Sequence, residues 1–254
     1  MSKPIVGVIT NNIELEHGYQ MTGAGIYELE ALCEVTGATP ILLPACKDVV
    51  DAQVALDLCD GFYFPGGRAN VHPSHYGQSL TDAHGDMNPC RDRLSLPLIK
   101  MAVEAGKPIF CVCRGHQELA VAFGSTLHAE VRDLPGRMNH RMPPEGTVDE
   151  KFAIRHSIEI TKGGVLAGIV GNTIVDVNTL HGQAVDQPGE RVIVEAVAPD
   201  STIEAISIKD AENFALGVQW HPEYLAGERD VSRKLFEAFG AALRGGKVEL
   251  SKAV

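Results

Sequence analysis

The apolar run Lys107-Pro108-Ile109-Phe110-Cys111-Val112-Cys113 ends abruptly in Arg114-Gly115-His116-Gln117, where a helical pattern begins. A thiol at such a strand-to-helix turn faces the unpaired N–H groups and positive dipole end of the helix, an environment that favours thiolate chemistry. Far downstream, Gln219-Trp220-His221-Pro222-Glu223 places a histidine and a carboxylate two positions apart. A turn-borne thiol with a distant His-x-Glu is the pattern of a Cys-His-Glu triad.

Cys111 and Cys113 compete for the role of nucleophile. In a continuing strand both would share one face. The turn breaks that alternation, so the expectation is that Cys113 is presented above the sheet edge, as in a nucleophile elbow, and Cys111 is packed in the strand. Pro222 biases His221 toward extended backbone, where residues i and i+2 point to one side. Glu223 would then fix the imidazole tautomer and stabilise the imidazolium formed when His221 takes the thiol proton.

An oxyanion needs backbone donors. One is the N–H of Arg114, directly after the thiol. Another is the N–H of Gly66 or of Gly67, in the turn Pro65-Gly66-Gly67 that closes a separate strand; the sequence leaves the choice open. The Arg114 guanidinium is expected either to act on the thiol or a substrate carboxylate, or else to face solvent. Gln117 lies one helical turn past Cys113 and could reach a bound substrate. Asn178-Thr179-Leu180-His181-Gly182-Gln183 forms a second polar cluster.

The elements that must position these groups alternate through the first half. Apolar runs at 5–9, 39–43, 61–64 and 109–112 read as strands, and 26–35, 49–58 and 91–105 as helices, implying a mainly parallel sheet with helices on both faces. The second half reads as strands at 157–160, 174–178, 191–198, 203–208 and 215–220, several of them antiparallel extensions of the sheet. A final helix spans 231–243 with Asp230 as N-cap. Residues 1–246 are expected to form one domain and 247–254 a frayed tail.

The 254-residue chain has 22 basic and 33 acidic residues, a formal charge of −11. Nucleic acid is therefore not an expected partner, because phosphate binding needs a basic surface. No apolar run approaches a membrane span, and the N-terminal run lacks a signal-peptide cleavage pattern, so a cytoplasmic location is expected, with no membrane partner. The six cysteines form no disulfide framework. The long loop 68–89 carries His72, His75 and His84 without zinc-type spacing and reads as a solvated lining of the substrate mouth. Neither metal nor cofactor is expected; a homo-oligomer is allowed.

The segments around Cys113-Arg114-Gly115-His116-Gln117 and Gln219-Trp220-His221-Pro222-Glu223 resemble the nucleophile and His/Glu motifs of class I glutamine amidotransferase-like proteins. Pro65-Gly66-Gly67-Arg68-Ala69-Asn70-Val71-His72-Pro73, Tyr76-Gly77, Arg91-Asp92 and Leu180-His181-Gly182-Gln183 are similar to the free-standing γ-glutamyl hydrolase branch. The likeness runs in order over 5–239. It implies a flavodoxin-like α/β fold and hydrolysis of a small γ-glutamyl amide through a γ-glutamyl thioester, releasing glutamate and an amine such as γ-aminobutyrate. By position Cys113 would be the nucleophile, His221 the acid/base and Glu223 its partner, with Gln117, His181, Gly182 and Gln183 near the glutamyl head. The rival readings are a glutaminase subunit that passes ammonia to a synthase, and an inert binding protein of the same fold.

Overall fold

A computed structural model of the protein describes residues 2–46 and 49–246; the expected tail at 247–254 lies outside the described residues. The strands are β1 (Ile5–Ile9), β2 (Asn11–Glu14), β3 (Gln20–Gly23), β4 (Thr39–Leu43), β5 (Gly61–Phe64), β6 (Ile109–Val112), β7 (Leu127–His128), β8 (His156–Ile160), β9 (Ile174–Val177), β10 (Ala184–Val185), β11 (Val192–Val197), β12 (Ile203–Ile208) and β13 (Ala215–Val218). The α-helices are α1 (Ile26–Glu30), α2 (Ala52–Leu58), α3 (Pro89–Glu104), α4 (Arg114–Ala122), α5 (Val148–Lys151), α6 (Val165–Val170) and α7 (Asp230–Leu243).

One sheet runs in the order β4-β1-β5-β6-β13-β12-β11-β8-β9. Its first five strands are parallel, from β4 to β13, and the remaining pairs are antiparallel. The α/β class, the parallel half and the antiparallel extension therefore match the sequence expectation. Strand alternation explains how both faces are covered: Phe62, Phe64, Ile109 and Cys111 pack on one side, Tyr63, Phe110 and Val112 on the other. Helices α3 and α4 cover the first face through Leu94, Leu98 and Leu119, while α7 covers the second through Leu235, Phe236 and Phe239. Each such fully buried side chain contributes about 1.5–3 kcal/mol of hydrophobic stabilisation.

Several boundaries shift for local reasons. The expected helix at 49–58 starts only at Ala52, because Asp51 caps it by accepting from the N–H groups of Gln53 and Val54. The helix from Ile26 changes to a π turn over Ala31–Val35. Arg229, not Asp230, is the N-cap of α7; Asp230 is its first residue and pairs with Arg233 and Lys234. The loop 68–89 contains two 3-10 turns, Pro73–Tyr76 and Asp82–His84. The β2–β3 hairpin has no counterpart in the sequence reading; its residues are mostly polar and exposed, so no buried alternation announces it. No helix among the described residues is long and apolar enough to cross a membrane.

Candidate active site

The parallel strands β5, β6 and β13 end together, and the singled-out residues leave from those ends. Cys113 follows β6 directly. Its N–H donates to the Val218 carbonyl of β13 at 2.8 Å, and its own carbonyl accepts from Gln117 N–H of α4 at 3.1 Å. Between these anchors its backbone takes φ 51°, ψ −101°. A non-glycine residue there is strained by roughly 1–3 kcal/mol and persists only because its surroundings hold it. The alternation does break at this turn: Cys111 packs with Phe62 and Phe64, whereas Cys113 falls on the opposite side with Phe110 and Val112. Gly115 permits the turn, since a Cβ there would lie 2.0 Å from the Phe64 carbonyl oxygen.

His221 follows β13, which ends at Val218 rather than at the expected Trp220. Its Nδ1 lies 2.5 Å from Glu223 Oε1, a contact made within a turn rather than along extended chain. The Cys113 sulfur acts on the same imidazole. Burial disfavours the imidazolium, but the Glu223 carboxylate and the Cys113 sulfur outweigh it and raise the His221 pKa well above its usual value. The Asn178 amide clasps the His221 backbone, and the Phe152 ring stands edge-on to the imidazole at 5.6 Å. Close by, burial and the Glu223 charge push the Glu28 carboxyl up to about 7 against the opposing Gly25 N–H.

The Pro65-Gly66-Gly67 turn reaches the same place. A Cβ on Gly66 would lie 2.6 Å from His221 Cε1, so only glycine lets this backbone approach the imidazole. The Pro65 carbonyl accepts from Arg91 Nη2 at 2.6 Å, and the Gly66 carbonyl from Arg91 Nη1 at 3.1 Å and Asn11 Nδ2 at 2.8 Å. Both peptides are trans, so the N–H groups of Gly66 and Gly67 point away from that guanidinium. Arg114 contributes the first N–H of α4, which has no acceptor within the helix.

The Arg114 side chain departs from both expectations. It neither touches the thiol nor faces solvent, but is buried beneath the loop. It donates to the Ala69 carbonyl at 2.6 Å and forms ion pairs with Asp92 at 2.5 Å and with Glu118. Arg91 also binds Glu118, at 2.8 and 3.0 Å, and Ser95 donates to the same carboxylate at 2.6 Å. Two guanidinium groups and two carboxylates thus balance under the elbow. Burial opposes the charge of Glu118, but Arg91 and Arg114 together hold its carboxyl below the ordinary range. Sequence reasoning noted Arg91-Asp92 only as a motif and Asn178 only within a polar cluster, and missed Glu118 and Ser95, whose mutual contact joins α4 to α3.

Gln117 and the 181–183 segment are brought together as a wall. Gln117 Nε2 donates to the Gln183 carbonyl at 2.9 Å and to Gln219 Oε1 at 3.2 Å. The Gln183 amide is spent on Val71 N–H and the Tyr76 hydroxyl, bracing the loop that begins at 68. Gly182 lies under the Arg141 guanidinium, and the His181 ring turns away toward Glu204. In the 68–89 loop, His72 bonds Ser74, His84 bonds Thr81 and His75 approaches Asp92, so the three imidazoles do not converge.

A buried thiol in a strained turn, an imidazole–carboxylate pair and outward-turned amides form an arrangement suited to acyl transfer. Residues 4–223 match the family model of Peptidase C26. The chain is 39% identical over 241 residues to gamma-glutamyl-gamma-aminobutyrate hydrolase of Escherichia coli O157:H7, covering 94% of this chain and 93% of that protein. It is 38% identical, with the same coverage, to the enzyme of that name from Shigella sonnei. Among solved structures it resembles a glutamine amidotransferase from Methylobacillus flagellatus, with a TM-score of 0.54 and 16% identity over 89% of this chain and 72% of that one. The fold, the motifs and these likenesses agree: the chain belongs to the Peptidase C26 family of hydrolases, within the class I glutamine amidotransferase-like superfamily.

Proposed function

We propose that the protein hydrolyses a small γ-glutamyl amide, γ-glutamyl-γ-aminobutyrate being the leading candidate, through a γ-glutamyl thioester on Cys113. Cys113 Sγ attacks the γ-carbonyl carbon while His221 takes the thiol proton. His221, oriented and charge-stabilised by Glu223, passes that proton to the departing amine nitrogen. Water then attacks the thioester with His221 as base, and glutamate leaves. The N–H of Arg114, with that of Gly66 or Gly67, bears the oxyanion charge in both steps. Gln117 has its Nε2 committed to protein, which leaves Oε1 to accept from the glutamyl α-ammonium. His181, Gly182 and Gln183 act as the wall behind that head group.

The observation that carries this reading is the His221–Glu223 pair at 2.5 Å, with the Cys113 sulfur acting on the same imidazole at the convergent strand ends. The test is glutamate release from a panel of glutamine, γ-glutamyl-γ-aminobutyrate, γ-glutamyl polyamines and γ-glutamyl anilides. Preference for a γ-glutamyl derivative of a larger amine supports the reading; dominant turnover of glutamine would favour a glutaminase subunit instead.

A further inference from the structure

A second cluster of titratable groups is closed into the antiparallel half of the sheet. Glu204 of β12 is fully buried, and three imidazole nitrogens converge on its Oε1: His140 Nδ1 and His156 Nε2 at 3.6 Å, and His181 Nε2 at 3.8 Å. The His140 and His181 side chains are 1% exposed and that of His156 is 10% exposed. These separations are too long for hydrogen bonds. Among the described residues, His156 Nε2, His181 Nε2 and both Glu204 oxygens have no hydrogen-bond partner. A carboxylate buried in that state is costly unless a positive charge meets it.

The far edges of the rings show where their protons sit. His140 Nε2 lies 3.0 Å from Asp200 Oδ2, His181 Nδ1 2.9 Å from the Gln183 carbonyl, and His156 Nδ1 3.2 Å from the Ser157 carbonyl. All three partners are acceptors, so each ring donates there and its other nitrogen faces Glu204. The Thr179 hydroxyl stands 3.0 Å from His140 Nδ1 and can adapt by donating to the His140 carbonyl instead. Three ring nitrogens and a carboxylate thus face one another at separations longer than hydrogen bonds.

We propose that this cluster binds a divalent transition-metal ion of the zinc class, with His140, His156 and Glu204 as ligands and His181 as the fourth. The candidate ligand atoms of the first three lie within 4.8 Å of one another. A tetrahedral zinc ion with bonds of about 2.0–2.1 Å separates its ligand atoms by roughly 3.4 Å, close to the spacing around Glu204 Oε1. Each histidine already has the outer carboxylate or carbonyl partner that orients metal-bound imidazoles. Four protein ligands leave no open position, so the ion is structural. It would tie the loop bearing His140, strand β8 and the 178–183 segment to β12. That braces the stretch from which Asn178 holds His221, and the Glu204 backbone carbonyl accepts from Gln219 N–H at 2.7 Å. The route in is on the partly open side of His156.

The test strips the purified full-length protein with a strong chelator, then titrates it with zinc(II) and with cobalt(II). One equivalent of each should bind, cobalt should give the intense visible bands of a four-coordinate N/O site, and zinc should raise the thermal midpoint. His156→Ala, on the open side, should keep the native circular dichroism and weaken zinc at least about a hundred-fold. Glu204→Gln, of equal volume, should do the same. Failure of the wild type to take up either ion would overturn the proposal. So would stoichiometric uptake unchanged in both variants, since the ion would then sit elsewhere.

Discussion

The side-chain amide of Asn178 holds the backbone of His221 at both ends. Its Oδ1 accepts from the His221 N–H at 2.8 Å, and its Nδ2 donates to the His221 carbonyl at 2.9 Å. The imidazole thus projects from a residue fixed to the 178–183 segment as well as to its own turn. Asn178→Ala removes both bonds and should cost about 1–3 kcal/mol of stability. A displaced acid/base lowers the rate of chemistry more than it weakens binding, so kcat should fall about a hundred-fold with KM little changed. Steady-state kinetics beside a urea melt separate the two effects.

Gly66 sets the distance between the amide turn and the imidazole. Gly66→Ala forces a Cβ to within 2.6 Å of His221 Cε1 unless one of them moves. The expected result is a folded protein with a collapsed kcat. Near-normal kcat would show that the turn can withdraw without loss, and would remove Gly66 from the site.

The charge network under the elbow is a stability element. Glu118→Gln leaves Arg91 and Arg114 buried with one carboxylate between them, and removing one partner of such a network costs about 3–5 kcal/mol. The urea midpoint should fall accordingly. Activity should fall further than unfolding explains, because Arg91 holds the carbonyls of Pro65 and Gly66.

Glu28 gives the molecule a pH-dependent stability. Its carboxyl rises from 4.5 to about 7 in the fold, through burial first and the Glu223 charge second. Between those values the folded chain keeps a proton that the unfolded chain has released. Stability therefore falls as pH rises through that window, by about 3 kcal/mol in all. Glu28→Gln should flatten this stretch of the stability curve and make the variant the more stable protein at pH about 8. A pH series of urea midpoints that is parallel for both proteins would refute the assignment.

What the sequence made legible was local or strongly periodic. The Cys113 turn was readable because strand, thiol and helix are contiguous, and the sheet because its strands are apolar runs of the right length. The His221–Glu223 contact was anticipated from an extended backbone, yet forms in a turn, so the right pair came with the wrong local geometry. The Arg114 guanidinium was misjudged because its partners Asp92 and Glu118 look like ordinary charges on helix surfaces until the two helices pack. Asn178 carried no signal beyond a polar cluster. His140, His156, His181 and Glu204 come from four separate segments, so no ligand spacing could announce them.

The central claim is that Cys113, and not its neighbour two residues earlier, carries the glutamyl group. Rapid acid quench of the enzyme with γ-glutamyl-γ-aminobutyrate, followed by peptide mass analysis, reads this directly. A glutamyl adduct should appear on Cys113, vanish with all glutamate release in Cys113→Ala, and persist in Cys111→Ala, which keeps most of its turnover. Glutamate release that survives in Cys113→Ala, or an adduct on Cys111, would contradict the account.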